Sequence, residues 1–208
     1  MKSTEWDRRY SGGDLVWSAT PTRFVESELS ALAPGRAVDV AAGEGRNAVW
    51  LARRGWSVTA VDFSQVGLDK GRALVERLGA DLDIDWVRAD VVEHDLGQDR
   101  YDLALLAYLQ LPDEQRHEVV RRAFTSLRVG GRLLVVAHDS TNLSEGTGGP
   151  QDPSVLYTAE DVVADLDGER FEVLRAERVT REVPDAEDSP GTLTAYDALV
   201  HVVRTSPH

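Results

Sequence analysis

The 208-residue sequence contains no cysteine. That excludes a disulfide framework, a thiolate zinc site and a cysteine nucleophile, and it suits a reducing cytosol. Basic charge is also scarce: 23 Lys and Arg stand against 36 Asp and Glu, for a formal net charge of −13. Such a surface repels a polyanion unless a local basic stripe overrides it, because phosphate neutralisation dominates nucleic-acid affinity. The pairs Arg8-Arg9, Arg53-Arg54 and Arg121-Arg122 lie inside helical patterns, where charged residues usually form solvated faces. No stretch approaches the roughly 18 uninterrupted apolar residues of a membrane span, and Met1-Lys-Ser-Thr-Glu-Trp6 has no apolar signal core. Repeats and low-complexity tracts are missing too. The expectation is a single cytoplasmic domain with neither a nucleic-acid nor a membrane partner; the oligomeric state stays open.

Ala37–Ala42 is a short apolar run broken by Asp39, as in a parallel strand covered on both faces. Gly43 and Gly45 then permit a tight turn and close backbone approach by a ligand, and Ala48, Leu51 and Ala52 begin a helical stripe. A second strand, Ser57–Val61, ends in Asp62. An acid roughly 20 positions beyond a glycine turn is placed to accept ribose hydroxyls.

Further patterns alternate. Helices are expected over Thr22–Leu32, Gln65–Leu78 and Asp113–Leu127, and strands over Asp83–Arg88, Tyr101–Ala107 and Arg132–Ala137. That order specifies an α/β domain with a parallel sheet and helices on both faces. Asp139–Pro153 is a polar stretch of roughly 15 residues, longer than the usual connection and of the length seen in lids. Thr158–Leu166 reads as a helix with Thr158 as N-cap and Asp161 completing a capping box. Two strands, Phe171–Val183 and Thr194–Val203, flank an acidic linker over 184–191, the one candidate for local disorder.

Asp39, Gly43, Gly45 and Asp62, with Val87-Arg-Ala-Asp90, Tyr101–Ala107 and Leu127–Val136, resemble the class I S-adenosylmethionine (SAM) dependent methyltransferases over about residues 36 to 138. Trp6-Asp-Arg-Arg-Tyr10, Leu15-Val-Trp17, Pro21-Thr-Arg-Phe24 and Gly43-Glu-Gly-Arg-Asn47 look like the small-molecule enzymes of the tellurite-resistance and thiopurine methyltransferase group. The resemblance implies a Rossmann-like, seven-stranded, mostly parallel sheet closed by an antiparallel C-terminal hairpin. It also implies an N-terminal helical cover over 1–34, a cofactor-binding core over 36–138, and a lid loop, helix and hairpin over 139–208.

On that resemblance the cofactor is S-adenosyl-L-methionine, released as S-adenosyl-L-homocysteine. Asp39, Ala41, Gly43, Gly45 and Arg46 would meet its amino-acid end, Asp62 the ribose, Phe63, Asp90 and Val91 the adenine, and Ala107 the sulfonium region through its carbonyl. Tyr10, Trp17, Phe24, Tyr108, Gln110 and Asn142 are candidates for the methyl acceptor's pocket. His138 and Tyr157 are candidate proton acceptors, because a phenol or amine acceptor needs help that a thiol does not. The adjacent pair His138 and Asp139 is too small a donor set for a metal, so none is expected. Sulfur, oxygen, nitrogen and tellurium acceptors all stay open. Two other classes also fit part of the pattern: a non-catalytic SAM-binding protein, and a nicotinamide-dependent oxidoreductase, whose sheet would lack the antiparallel hairpin.

Overall fold

A computed structural model describes residues 3–13, 15–16, 19–184 and 192–206. Seven strands form one sheet: β1 (Arg36–Val40), β2 (Ser57–Asp62), β3 (Ile84–Arg88), β4 (Tyr101–Ala107), β5 (Leu127–His138), β6 (Phe171–Pro184) and β7 (Thr192–Arg204). Their spatial order is β3-β2-β1-β4-β5-β7-β6. The first five run parallel, while β7 is antiparallel to both β5 and β6. This is the sheet that the alternation and the C-terminal pair of strands imply, and its antiparallel hairpin is the feature that a nicotinamide-binding sheet lacks. Strand order reverses between β1 and β4, and open sheets of this kind bind ligands at the carboxyl ends beside such a reversal.

The helices are α1 (Ser3–Tyr10), α2 (Arg23–Leu29), α3 (Arg46–Arg53), α4 (Gln65–Leu78), α5 (Asp113–Thr125), α6 (Asn142–Glu145) and α7 (Ala159–Ala164). Local chemistry sets several boundaries. Ser64 caps α4 by accepting from the Gly67 amide, and Gly79 ends that helix in the left-handed region at φ 59°. Thr158 and Asp161 form the expected reciprocal capping box of α7.

Strand periodicity sends side chains into two cores. Val38, Val40, Ala104, Leu106, Leu133, Val135 and Ala137 pack on one face with α5 and α7. Ala37, Leu103, Leu105, Leu134, Val136 and Leu199 pack on the other with α2 and α3. Each fully buried leucine or valine here contributes roughly 2 kcal/mol by leaving water. The same alternation decides which face each polar residue of the rim occupies.

Several boundaries differ from the sequence expectation: α2 ends at Leu29, not Leu32, and α5 at Thr125, not Leu127. β5 begins at Leu127, not Arg132: pairing with β4 steps from Tyr101↔Leu127 to Leu103↔Arg132, so β5 carries extra residues in a bulge. Gly130, at φ 82°, allows the bend, and a Cβ on Gly131 would stand 2.8 Å from the Arg128 carbonyl oxygen. The stretch after β5 is not featureless; it holds α6 and a 3₁₀ turn at Pro153–Val155. α7 stops at Ala164, two residues short. Of the acidic linker, residues 185–191 lie outside the described residues, as does Trp17.

Candidate active site

The turn between β1 and α3 is built from positive-φ residues, Ala41 at 61°, Gly43 at 58° and Gly45 at 74°. Ala41 is the exception among them, since a Cβ is strained in this region and glycine is not. Asp62, at the end of β2, clamps the turn: its Oδ2 accepts from the Gly43 amide at 2.8 Å and its Oδ1 from the Ser64 amide at 2.8 Å. Burial raises its carboxyl above the ordinary range, and the backbone amides oppose that shift. Asp62 therefore holds the loop.

The glycines answer to neighbours on the protein itself. A Cβ on Gly43 would meet the Tyr10 hydroxyl at 2.8 Å. One on Gly45 would meet the Trp86 ring at 2.4 Å, and one on Gly71 would meet the same ring at 2.4 Å. Trp86, on β3, is thus wedged between the turn and α4; sequence reading missed it, and the facing glycines 26 positions apart in Gly45 and Gly71 were its only trace. The N-terminal segment docks on the same turn. Asp7 Oδ1 accepts from the Ser64 hydroxyl at 2.5 Å, Glu44 Oε1 from the Val16 amide at 3.1 Å, and Asn47 Oδ1 from the Thr22 amide at 3.0 Å. Tyr10 is buried there.

Asp39 projects to the α3 face and is almost fully buried. The Ala48 amide serves its carboxylate, but Oδ2 has no partner. Burial raises its pKa to about 7, against the pull of that amide and of the Arg46 guanidinium. Arg46, first residue of α3, is lowered by burial and lies in the Coulombic field of Tyr108, Asp39, Tyr10 and Arg181. Farther along the rim Asp90 is exposed, with Oδ1 accepting from the Val92 amide at 3.0 Å; Val91 is buried, and Phe63 and Ala107 are half-buried.

A second cluster stands past the ends of β4 and β5. Tyr108, at φ 61°, turns its ring against His138 with centroids 4.9 Å apart. Its hydroxyl donates to Asp197 Oδ2 at 2.9 Å, and Arg181 Nε donates to the same oxygen at 2.9 Å. Asp197 is paired across the sheet with His138 and is completely buried. His138 Nδ1 stands 3.4 Å from Asp197 Oδ1. That approach is too long or too bent for a formed hydrogen bond, so both atoms are buried with no other partner. Burial alone would raise Asp197, yet the His138, Arg181 and Tyr108 groups around it bring it below its ordinary value. Burial first, and then the adjoining Asp197 charge, push the Tyr108 phenol upward.

The remaining candidates are structural in position. Gln110 ties the rim to its covering loop, accepting from the His138 amide at 2.9 Å and donating to the Val155 carbonyl at 2.6 Å. Asn142 is a buried clasp, donating to the Thr147 and Gly148 carbonyls and accepting from the Tyr196 amide at 2.9 Å. Phe24 sits in the α2–α3 core. Tyr157 belongs to the opposite core, its hydroxyl committed to the Leu109 carbonyl at 2.7 Å and its pKa raised by burial. Asp139 caps the next turn, accepting from the Thr141 amide and hydroxyl. Among the described residues no three or more His, Asp or Glu side chains gather as a metal site, and no helix is long and apolar enough to cross a membrane. Asp197 and Arg181 were not candidates in the sequence, because nothing in the two C-terminal strands marks them.

Residues 37–131, which contain the whole β1–α3 turn, match the family model described as a methyltransferase domain. The fold is that of a class I methyltransferase. The domain is 29% identical over 124 residues to a demethylmenaquinone methyltransferase of Clavibacter sepedonicus, covering 60% of this chain and 48% of that protein. The chain thus spans about half the length of the curated relatives it matches, 41% for the methyltransferase GfsG of Streptomyces halstedii. Among solved structures it superposes on the N-methyltransferase NodS of Bradyrhizobium japonicum with TM-score 0.72 and 16% identity, covering 98% of both chains. TehB of Haemophilus influenzae gives TM-score 0.72 and 16% identity over 98% of this chain and 67% of that one.

Proposed function

We propose that this domain transfers a methyl group from SAM to a small-molecule acceptor by in-line displacement. The observation that carries the reading is Asp39: a buried carboxylate at the reversal point of the sheet, with one oxygen unpartnered and a pKa of about 7. An unsatisfied buried anion is unfavourable unless a cation joins it, and the ammonium of the cofactor's amino-acid end is such a cation. The donor set fits the rest of the molecule. Arg46 and the start of α3 supply positive potential for the carboxylate, Asp62 presents remaining acceptor capacity for ribose hydroxyls, and exposed Asp90 with Val91 suits an adenine edge.

Bound there, SAM would supply a methyl group on a sulfonium whose departure needs no acid. The chain's own residues would align the acceptor, exclude water and accept a proton where the acceptor carries one. Tyr10, Val16 and Thr22 already lie against the turn, and the loop after β5 reaches over the second cluster through Gln110 and Gly149. Together they would form the walls of an enclosed pocket for a thiol, phenol, amine or metalloid oxyanion.

Titration calorimetry with SAM and with S-adenosyl-L-homocysteine tests this. One saturable site per chain is expected, with about one proton released near pH 6 as the ammonium draws Asp39 into its ionised form. No saturable binding of either ligand would overturn the reading.

A further inference from the structure

We infer that His138 is the general base for an acceptor with a neutral, ionisable hydroxyl of phenol or enol type, held in its working tautomer by Asp197. The inference rests on the methyltransferase reading and goes on to name the acceptor and the proton path. It begins with strand periodicity. Asp39, His138, Arg181 and Asp197 all project to the α3 face, in register with residues of that core and not of the other. His138 lies two strands across from Asp39 and four residues farther along, since Asp39 is level with Leu105 and Leu134, so about 10 Å across the strands and about 13 Å along them give a separation of roughly 16 Å. A nucleophile held at the histidine therefore lies toward the carboxyl ends of the strands from Asp39, on the same face, where a cofactor extending outward from Asp39 would meet it.

The second step is the tautomer. Asp197 Oδ2 is saturated by Tyr108 and Arg181, whereas Oδ1 faces only His138 Nδ1. A fully buried carboxylate oxygen 3.4 Å from Nδ1, with no other partner, favours the proton on Nδ1 by its charge and by the hydrogen bond a small closing movement would form, and that leaves the lone pair on Nε2. Nε2 has no hydrogen-bond partner among the described residues, and Gly149 lies so close over the ring that an added Cβ would meet Cγ at 2.8 Å. The ring is therefore held by the sheet below, the Tyr108 ring beside it and the loop above, with one nitrogen available.

The third step is charge. The groups facing His138 are Asp197 from β7, Arg181 from β6 and Tyr108 after β4, and Arg46 from α3 lies in the field of Tyr108 and Arg181. Arg181 is offset by the ionised Asp197 it is paired with, so the Arg46 guanidinium gives this side of the site its positive field, which disfavours an acceptor that arrives as an ammonium and favours one that becomes an oxyanion. A thiol is already partly ionised near neutral pH and gains little from a base; a phenol gains much. In the step, the hydroxyl proton passes to His138 Nε2 and the oxygen lone pair forms the O–CH₃ bond. The C–S bond breaks with its electron pair staying on sulfur, the sulfonium charge is thereby neutralised, and the imidazolium returns its proton to water.

The test uses the full chain, wild type and His138→Gln, with labelled SAM and a panel of a neutral phenol, a nitrophenol ionised at neutral pH, an aryl thiol and a primary amine. Calorimetry with S-adenosyl-L-homocysteine is run first, so that loss of cofactor binding by wild type, which ends the methyltransferase reading, is separate from failure of the base. Expected are unchanged S-adenosyl-L-homocysteine affinity within twofold, at least a 100-fold drop in kcat for the neutral phenol near pH 7, and less than a fivefold drop for the ionised one. Raising the pH toward the phenol's own ionisation should restore the variant. Nitrogen-detected NMR of the histidines should find His138 protonated on Nδ1 in wild type and shifted toward Nε2 in Asp197→Asn, a readout that a merely structural Asp197 would not move. Equal losses on both phenols, no loss on either, preferential turnover of the thiol or amine, or an Nε2-protonated His138 in wild type would each overturn the assignment.

Discussion

The two halves of the binding rim are built on different principles. At the ends of β1, β2 and β3 the site is mostly backbone and loop, closed by Asp62 acting on amides of its own neighbourhood and on the turn 19 residues earlier. At the ends of β4 and β5 it is side chain on side chain, with Tyr108, His138, Arg181 and Asp197 drawn from four separate strands or strand ends. The first half suits a ligand whose shape never changes, because a backbone cradle has no rotamers to vary. The second can change its ligand through a single substitution, which is how one fold carries many chemistries. The N-terminal segment belongs to the first half by its contacts with Glu44, Asn47 and Ser64. The loop after β5 belongs to the second through Gln110.

If that contrast holds, damage to the first half removes binding and damage to the second removes turnover. The largest expected effect is Asp62→Ala. Losing two buried charge-assisted bonds should destabilise the fold by about 4 kcal/mol and weaken SAM binding more than tenfold. An unchanged calorimetric dissociation constant with an intact fold would remove Asp62 from the site.

Asp39 should dominate the pH dependence of the ligand-free protein. Its folded pKa of about 7 lies above the value of an unfolded chain, so the folded state binds this proton more tightly. Its stabilising contribution is complete below about pH 4 and is lost as pH rises through 7, in total about 4 kcal/mol. Asp39→Asn should flatten that part of the urea-unfolding profile between pH 4 and 8; a parallel profile in the variant would show that Asp39 is already ionised without ligand.

Tyr157→Phe sharpens the second half by subtraction. The hydroxyl donates to a buried carbonyl, so its removal should destabilise the fold by about 1.5 kcal/mol. Because that hydroxyl is already committed, the pH profile of methyl transfer should not move, and a shifted profile would return Tyr157 to the candidate bases. Smallest is Ala41→Gly, which relieves a left-handed alanine at φ 61° and should stabilise by about 0.5 kcal/mol after the added chain entropy of glycine. Thermal unfolding at a lower temperature than wild type would mean that the methyl group is packed to some purpose.

The comparison also separates what was legible from what was not. Gly43, Gly45 and Asp62 announce themselves because the turn is local: two positive-φ glycines and an acid one strand later suffice to describe it. The capping box at Thr158 and Asp161 is legible for the same reason. Trp86 was not, since its partners Gly45 and Gly71 come from the turn and from α4. Phe24 and Tyr157 show the reverse difficulty: an aromatic near a rim in sequence was a pocket candidate, and burial in one or the other core is a property of the folded layers.

By itself the sequence determined the strand and helix alternation of the parallel core and the acid–glycine turn, because periodicity and turn chemistry act over a few residues, while the antiparallel closing of the sheet came only through the family resemblance. Only the tertiary structure decided that His138 faces Asp197, and that Tyr108 and Arg181 occupy the other carboxylate oxygen. A cross-strand pair is set by register between segments 59 positions apart, and no local pattern in either strand encodes it.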